Sequence, residues 1–355
     1  MYLDGYRGRF LTCARNYFIY PHYSVSLRTN LNHLVRALLK QKTMAEFKTI
    51  NRAFFLKRLK PRNNNTHKGN YGQLLIIAGC QRMPGAALLT TGSALHSGCG
   101  LVTLHSTERA LQATVSAFPS AKLQENPGEC FSIVPKIFEQ NKAVYRAVAV
   151  GPGLGTEPDS RAALRELLCL INEWNGQDSE KEKISLVLDA DALNIISANP
   201  DIVSLIPAGS VLTPHSGELK RLLKKDFNQI KGDKEKEEEI NKSIEEFVEK
   251  TKCILVRKGF HTKIYSPNGE RLENTTGNPG MAKGGSGDVL TGLISGLIAR
   301  GYDALTAAAL GVWIHGMSGD YLSQERTPEA YDGKDLIDYL WVGFKTLYDY
   351  KARYE

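Results

Sequence analysis

The sequence predicts an α/β fold: a central, mostly parallel sheet with helices on both faces, arranged as a three-layer sandwich. Two observations carry this. Six short runs rich in Val, Ile and Leu lack polar alternation, as strands covered on both sides do. Helix-length stretches separate them, and strand, helix, strand in repetition builds a parallel sheet. At 355 residues with 42% hydrophobic and 23% charged residues, the chain has the composition of a globular protein with ample core. No apolar run approaches the roughly 20 residues of a membrane-spanning helix.

The elements follow in order. Residues 1–62 carry 13 Lys and Arg against two acids, Asp4 and Glu46, for +11, and hold ten of the 30 aromatic residues. The other 293 residues carry 32 basic and 36 acidic groups, for −4. The net +7 therefore does not make the main body a nucleic-acid binder. Residues 1–60 are expected to form an N-terminal extension of unknown role, ahead of a domain over 61–352. A transit peptide, a translation start at Met44 and a remnant of an upstream domain all remain open for it. A helix is predicted over Ala45–Leu59, stopped by Pro61. Strands are predicted at Leu74–Ala78, Leu101–His105, Ala147–Val150, Ser185–Leu188, Ser210–Thr213 and Cys253–Arg257. Helices are predicted at Gly85–Ser97 and Ser160–Trp174. Thr262–Tyr265 and Arg271–Thr275 flank Pro267-Asn268-Gly269 and read as a hairpin. Lys231–Lys250 spaces Ile240, Ile244, Phe247 and Val248 as the inner face of a surface helix. The six cysteines are scattered, with no CxxC and no His at zinc spacing, and read as reduced thiols of a cytoplasmic protein with no metal site.

Gly284-Gly285-Ser286-Gly287-Asp288 is the most informative stretch. From Val289 onward, apolar residues mark one helical face, so the glycines open a helix with unhindered backbone N–H groups. Such a turn binds anions, because unpaired amides and the positive helix end point the same way. Asp288 sits beside that anion site. It is either a carboxylate favoured by the dipole or a general base next to a transferring phosphoryl group. Neither GxxxxGK[ST] nor a strand-following GxGxxG is present, which argues against P-loop and dinucleotide-binding Rossmann proteins.

This stretch resembles the ribokinase-like superfamily. His67-Lys-Gly-Asn-Tyr-Gly72, Gly151-Pro-Gly-Leu-Gly155, Leu188-Asp-Ala-Asp-Ala-Leu-Asn194, Leu212-Thr-Pro-His-Ser-Gly-Glu218 and Lys258-Gly-Phe-His-Thr262 precede it in order. Together they resemble the ADP/ATP-dependent NAD(P)H-hydrate dehydratases over roughly 60–350. The resemblance implies a ribokinase-like sandwich and repair of the S form of NAD(P)H hydrate by phosphorylation of its ring hydroxyl and loss of phosphate. It implies ADP, or else ATP, as co-substrate with Mg²⁺, a homo-oligomer, and neither nucleic acid nor membrane as partner. Carried over residue by residue, Ala86, Gly153, His215 and Asp288 would contact the substrate, with Asp288 taking the hydroxyl proton. Lys258, Gly259, Phe260, His261 and Thr262, with Gly284, Gly285, Ser286 and Gly287, would contact the nucleotide. Bland readings stand beside these. Gly153 serves a tight turn, Lys258 is a solvated loop residue, Asp189 and Asp191 cap a helix, and His67 and Lys68 stay outside the site. Lys283 stands where the family more often has a small hydroxyl residue, to touch phosphate or face water. The rival function is a ribokinase-like kinase of a small alcohol such as a vitamin precursor.

Overall fold

The computed structural model describes residues 46–136, 145–176, 183–225 and 234–354. The chain divides between Glu46 and Phe47, and everything described below lies in Phe47–Glu355. Ten strands form one sheet: β1 (Lys48–Ile50), β2 (Gln73–Ile77), β3 (Leu101–Ser106), β4 (Lys122–Glu125), β5 (Ala147–Val150), β6 (Ser185–Leu188), β7 (Val211–Leu212), β8 (Ile254–Arg257), β9 (Lys263–Tyr265) and β10 (Arg271–Asn274). Their order is β1-β10-β9-β8-β7-β6-β5-β2-β3-β4, and every neighbouring pair is parallel except those of β9 with β8 and with β10.

Each predicted strand is present within a residue or two of its expected ends, and the hairpin β9–β10 turns at Gly269 with φ +78°. The two faces follow from the period of two along each strand. Leu74, Ile76, Ala147, Ala149, Val187 and Val256 face one core, with helices Pro84–His96, Ser286–Ala299, Ala304–Glu325 and Gly333–Tyr354. Leu75, Ile77, Val148, Val150, Leu188 and Leu255 face the other, under helices Pro158–Gly176, Ala190–Ala198, Ser216–Leu223 and Lys234–Thr251. The sheet is covered on both sides, which is why its central strands read as unbroken apolar runs. The predicted amphipathic helix is described from Lys234; residues 231–233 lie outside the described residues.

One expectation needs correction. The helix predicted over Ala45–Leu59 is instead the strand β1 followed by a four-residue helix, Arg52–Phe55, capped by the Asn51 side chain; Ala45 lies outside the described residues. β-Branched Thr49 and Ile50 pair with β10, so ladder formation overrides helix propensity there. The residues that follow, up to Lys60, pack onto the same body. Phe55 is fully buried against Trp313, and Lys60 N donates to Tyr302 Oη at 2.9 Å. Residues 47–60 thus pack with the body.

Order reverses between β5 and β2. The chain runs to β3 on one side and to β6 on the other, and ligands of open α/β sheets bind beyond the strand C-termini at such a point. Backbone bonds tie those loops together: Gly79 N to Pro152 O at 2.7 Å, Asp189 N to Val150 O at 3.1 Å, Thr213 N to Leu188 O at 3.1 Å and Lys258 N to Pro214 O at 2.9 Å.

Candidate active site

The site forms where the C-terminal ends of β5 to β8 meet the N-terminus of helix Ser286–Ala299. Gly285 caps that helix in the left-handed region, φ +90°, and a Cβ there would stand 2.4 Å from Leu89 Cδ1. Only glycine permits both. Gly284 is exposed, and a Cβ on it would meet nothing within 4 Å, so the turn opens toward solvent at this point. The turn is braced from behind by Lys283, whose Nζ donates to Tyr331 O at 2.5 Å and to Glu329 O at 2.8 Å. Lys283 is exposed, but its ammonium is engaged by these two carbonyls. The Ser286 side chain also turns away from the opening: it is buried, and its Oγ lies 3.3 Å from Nε2 of the buried His315. A ligand at this turn meets the Ser286 backbone, not its hydroxyl. Burial pushes His315 down to about 4, so the imidazole is neutral at physiological pH.

Asp288 follows in the first turn, half-buried, and its carboxylate has no hydrogen-bond partner among the described residues. Burial, then the charge of Asp189, push its pKa up to about 7; Lys258 opposes them, and Asp191 and Glu218 add to the rise. Beside it lies a charge cluster drawn from three strand ends. Lys258, after β8, donates to Asp189 Oδ1 at 2.6 Å and stands 3.8 Å from Glu218 Oε2. Burial disfavours the Lys258 charge, but Asp189 and Glu218 outweigh it and hold the ammonium above the usual lysine range. A Cβ on Gly287 would be 3.3 Å from Lys258 Nζ, which places this cation against the glycine turn. Lys258 is therefore not a solvated loop residue.

His215 caps helix Ser216–Leu223. Its Nδ1 accepts from Gly217 N at 3.0 Å and Glu218 N at 3.4 Å, while Glu218 Oε2 accepts from His215 N at 2.8 Å. With Nδ1 accepting, the proton sits on Nε2, 3.2 Å from Glu218 Oε1. This capping box pulls Glu218 inward, where burial raises its pKa against the pull of Lys258. Ala86 and Gly153 meet on the other side. Gly153 has φ +59°, and a Cβ on it would stand 2.8 Å from Ala86 Cβ, so this close approach as well as the turn requires glycine. Asp191 steadies the same loop by accepting from Gly155 N at 2.9 Å. In the Lys258–Thr262 loop, Thr262 Oγ1 donates to Gly259 O at 3.0 Å, and Phe260, 79% exposed, stacks on His261 at 4.2 Å.

The residues expected from sequence thus fall into one neighbourhood at the strand C-termini, except His67 and Lys68. These form a turn before β2, where Gly72 packs against Ala299 O at the far end of helix Ser286–Ala299. Fourteen residues of helix separate that end from the glycine turn, about 21 Å at 1.5 Å per residue. At the same far end a cavity is lined by Arg62, His96, Arg300 and Tyr348, with Arg62 and Arg300 donating to Gly98 O and Lys60 O. Sequence reasoning left Glu218 and Asp189 out of the site and had no sign of His315 or of Thr291, whose Oγ1 donates to Asp189 Oδ2 at 2.7 Å. Glu218 and Asp189 were visible within strand-end motifs, whereas His315 lies in an apolar 22-residue helix with nothing to mark it.

Chemically, the arrangement offers an anion-binding turn, a buried cation beside it and an unpaired carboxylate poised to exchange a proton near neutrality. The family described as NAD(P)H-hydrate dehydratase matches residues 74–341. A bifunctional NAD(P)H-hydrate repair enzyme Nnr of Thermofilum pendens is 34% identical over 294 residues, 81% of this chain and 53% of that protein. The ADP-dependent (S)-NAD(P)H-hydrate dehydratase of Bacillus subtilis is 30% identical over 81% of this chain and 95% of its own length. The chain spans about half the length of the bifunctional relatives it matches. The crystal structure of the ADP/ATP-dependent NAD(P)H-hydrate dehydratase from B. subtilis, co-crystallised with ATP/Mg²⁺, superposes with a TM-score of 0.68 at 26% identity, over 86% of this chain and 99% of that one. The fold is thus ribokinase-like, and the chain belongs to the NAD(P)H-hydrate dehydratase family.

Proposed function

We propose that this chain repairs hydrated nicotinamide cofactors, converting the S form of NAD(P)H hydrate to NAD(P)H at the expense of ADP, or of ATP. The carrying observation is Asp288: a carboxylate with no hydrogen bond among the described residues, pushed up to about 7 by burial and Asp189, at the mouth of a glycine-rich helix N-terminus. A neutral alcohol needs a base to attack phosphorus, and one with a pKa near the working pH is the most effective. Asp288 takes the proton of the ring hydroxyl as its oxygen bonds to the terminal phosphorus, and the bond from phosphorus to the nucleotide's bridging oxygen breaks. The phosphorylated hydrate then expels phosphate, drawing on the ring-nitrogen lone pair, and loss of a ring-carbon proton restores the double bond.

The amides of Gly284–Gly287 and the Lys258 ammonium offset charge on the phosphates, which is the protein's main contribution to phosphoryl transfer. Gly259–Thr262, with the exposed Phe260, lie on the nucleotide side; Ala86, Gly153 and His215 lie on the substrate side. The open face at Gly284 leaves room for phosphate together with a hydrated ion. Mg²⁺ would be held there by the nucleotide's own phosphate oxygens and retained waters, and would supply charge neutralisation. The same reading places the protein in the cytoplasm, as a homo-oligomer with no nucleic-acid or membrane partner. It also assigns residues 47–352 to the dehydratase domain and leaves 1–46 as an extension.

The test is an absorbance assay with the S hydrate, Mg²⁺ and either ADP or ATP. Reduced nicotinamide should appear with ADP faster than with ATP, with free phosphate as co-product. A stable phosphorylated alcohol in its place identifies a small-molecule kinase, and no reaction with either nucleotide sinks the proposal.

A further inference from the structure

Asp189 stands at the N-cap of helix Ala190–Ala198, yet its side chain makes no capping bond. Its carboxylate, 1% exposed, reaches two other elements instead. Oδ1 accepts from Lys258 Nζ at 2.6 Å, and Oδ2 accepts from Thr291 Oγ1 at 2.7 Å. Thr291 lies three residues after Asp288 on helix Ser286–Ala299, and residues at that spacing share a face. The bond to Thr291 therefore sets Asp189 one helical turn below the proposed base. The backbone is bent to allow this: Ala190 has φ +47°, unfavourable for a residue with a side chain, and a Cβ on Gly151 would stand 1.8 Å from Asp189 O. A helix cap requires none of these features. A buried carboxylate is tolerable only when paired, and the pairing here is with a cation that lies against Gly287.

We propose that Asp189 is a positioning residue for the phosphoryl-transfer step. It anchors the Lys258 ammonium beside the glycine turn and keeps that cation from collapsing onto Asp288, which stays free to act as base. The inference rests on the reading of Asp288 as that base. The titratable groups around Asp288 are Asp189 and Asp191 from the β6 end, Glu218 with its capping partner His215 from the helix after β7, and Lys258 from the β8 end. His315, neutral, stands behind Ser286. Removing the Asp189 charge takes away a like charge and frees Lys258 to pair with Asp288. Both changes favour the ionised form of Asp288.

Full-length wild type, Asp189→Asn, Asp288→Asn, the double variant Asp189→Asn/Asp288→Asn and Thr291→Val are assayed with the S hydrate and ADP across pH 4–9, and their ligand-free Tm is followed over the same range. Asparagine keeps the size of Asp189 and still accepts the Thr291 hydrogen bond. Asp189→Asn should lower the plateau of kcat/KM about tenfold or more and move its acidic limb down by about one pH unit or more. A purely structural role would lower Tm and leave the limb in place, and that result overturns the proposal. Should Asp189→Asn not fold, Thr291→Val decides. Asp189 keeps its charge but loses a tether, so nucleotide KM should rise several-fold with the limb unmoved; unchanged KM and kcat overturn the proposal. The Tm arm separates this inference from the reading beneath it. The Tm gap between Asp288→Asn and wild type should level off above about pH 7, and on the Asp189→Asn background it should level off at lower pH. If wild type lacks dehydratase turnover, the base assignment falls, while these ligand-free curves still report whether Asp189 controls Asp288.

Discussion

Asp288 concentrates the residue-scale consequences. A base that titrates at about 7 makes kcat/KM rise with pH, tenfold per unit, to a plateau above that value. Asp288→Asn should cost about 10²-fold or more in kcat while nucleotide binding, measured by calorimetry with a non-hydrolysable analogue, changes only a few-fold. The same residue carries a stability cost. Its carboxyl binds its proton more tightly folded than unfolded, so between pH 4 and 7 rising pH removes stability, and above about 7 the loss is complete. Asp288→Asn should therefore melt several degrees above wild type at pH 8 and close to it at pH 4, as scanning calorimetry will show. At this scale the sequence was informative where chemistry depends on residue type at a strand end or helix start: Asp288, His215, Lys258 and the glycines. It was uninformative about Thr291 and His315, because their roles depend on which side chain faces them across the layer.

The governing element is the helix Ser286–Ala299, which carries the glycine turn proposed to bind phosphate at one end and packs along helix Pro84–His96. Cβ atoms on Gly292 and Gly296 would come within 2.0 Å of Thr90 O and 2.1 Å of Ser97 Oγ respectively. Gly292→Ala should then force the helices apart, cost about 1–3 kcal/mol or more, and lower Tm accordingly. Gly284→Ala, at an open position, should leave Tm within a degree or two and raise nucleotide KM. The apolar periodicity from Val289 and the glycine spacing marked this helix in the sequence itself. Lys48–Ile50 was misread because a three-residue strand has too few positions to show a period of two. Its pairing with β10 comes from residues more than 200 positions away, which no local pattern records.

On the scale of the whole molecule, the boundary between extension and body is the feature open to direct test. A chain beginning at Phe47 should keep the Tm of the full chain, whereas one beginning at Pro61 loses β1 and the fully buried Phe55, whose truncation alone costs about 3–5 kcal/mol. The basic surplus of residues 1–62 was legible from composition but not its division, since charge counts do not register where packing starts. The sheet's two open sides explain why that division matters beyond folding energy. Among the described residues the edges of this ten-stranded sheet are β1 and β4, which are three and four residues long and carry Lys48, Lys122 and Glu125. Short, charged margins of this kind resist strand addition from other molecules. Cutting at Pro61 removes one of them and uncovers β10, whose Leu272 is fully buried. Light scattering on that truncated chain should record self-association, because the first strand, outside the chemistry altogether, protects the protein from its own neighbours in a crowded cell.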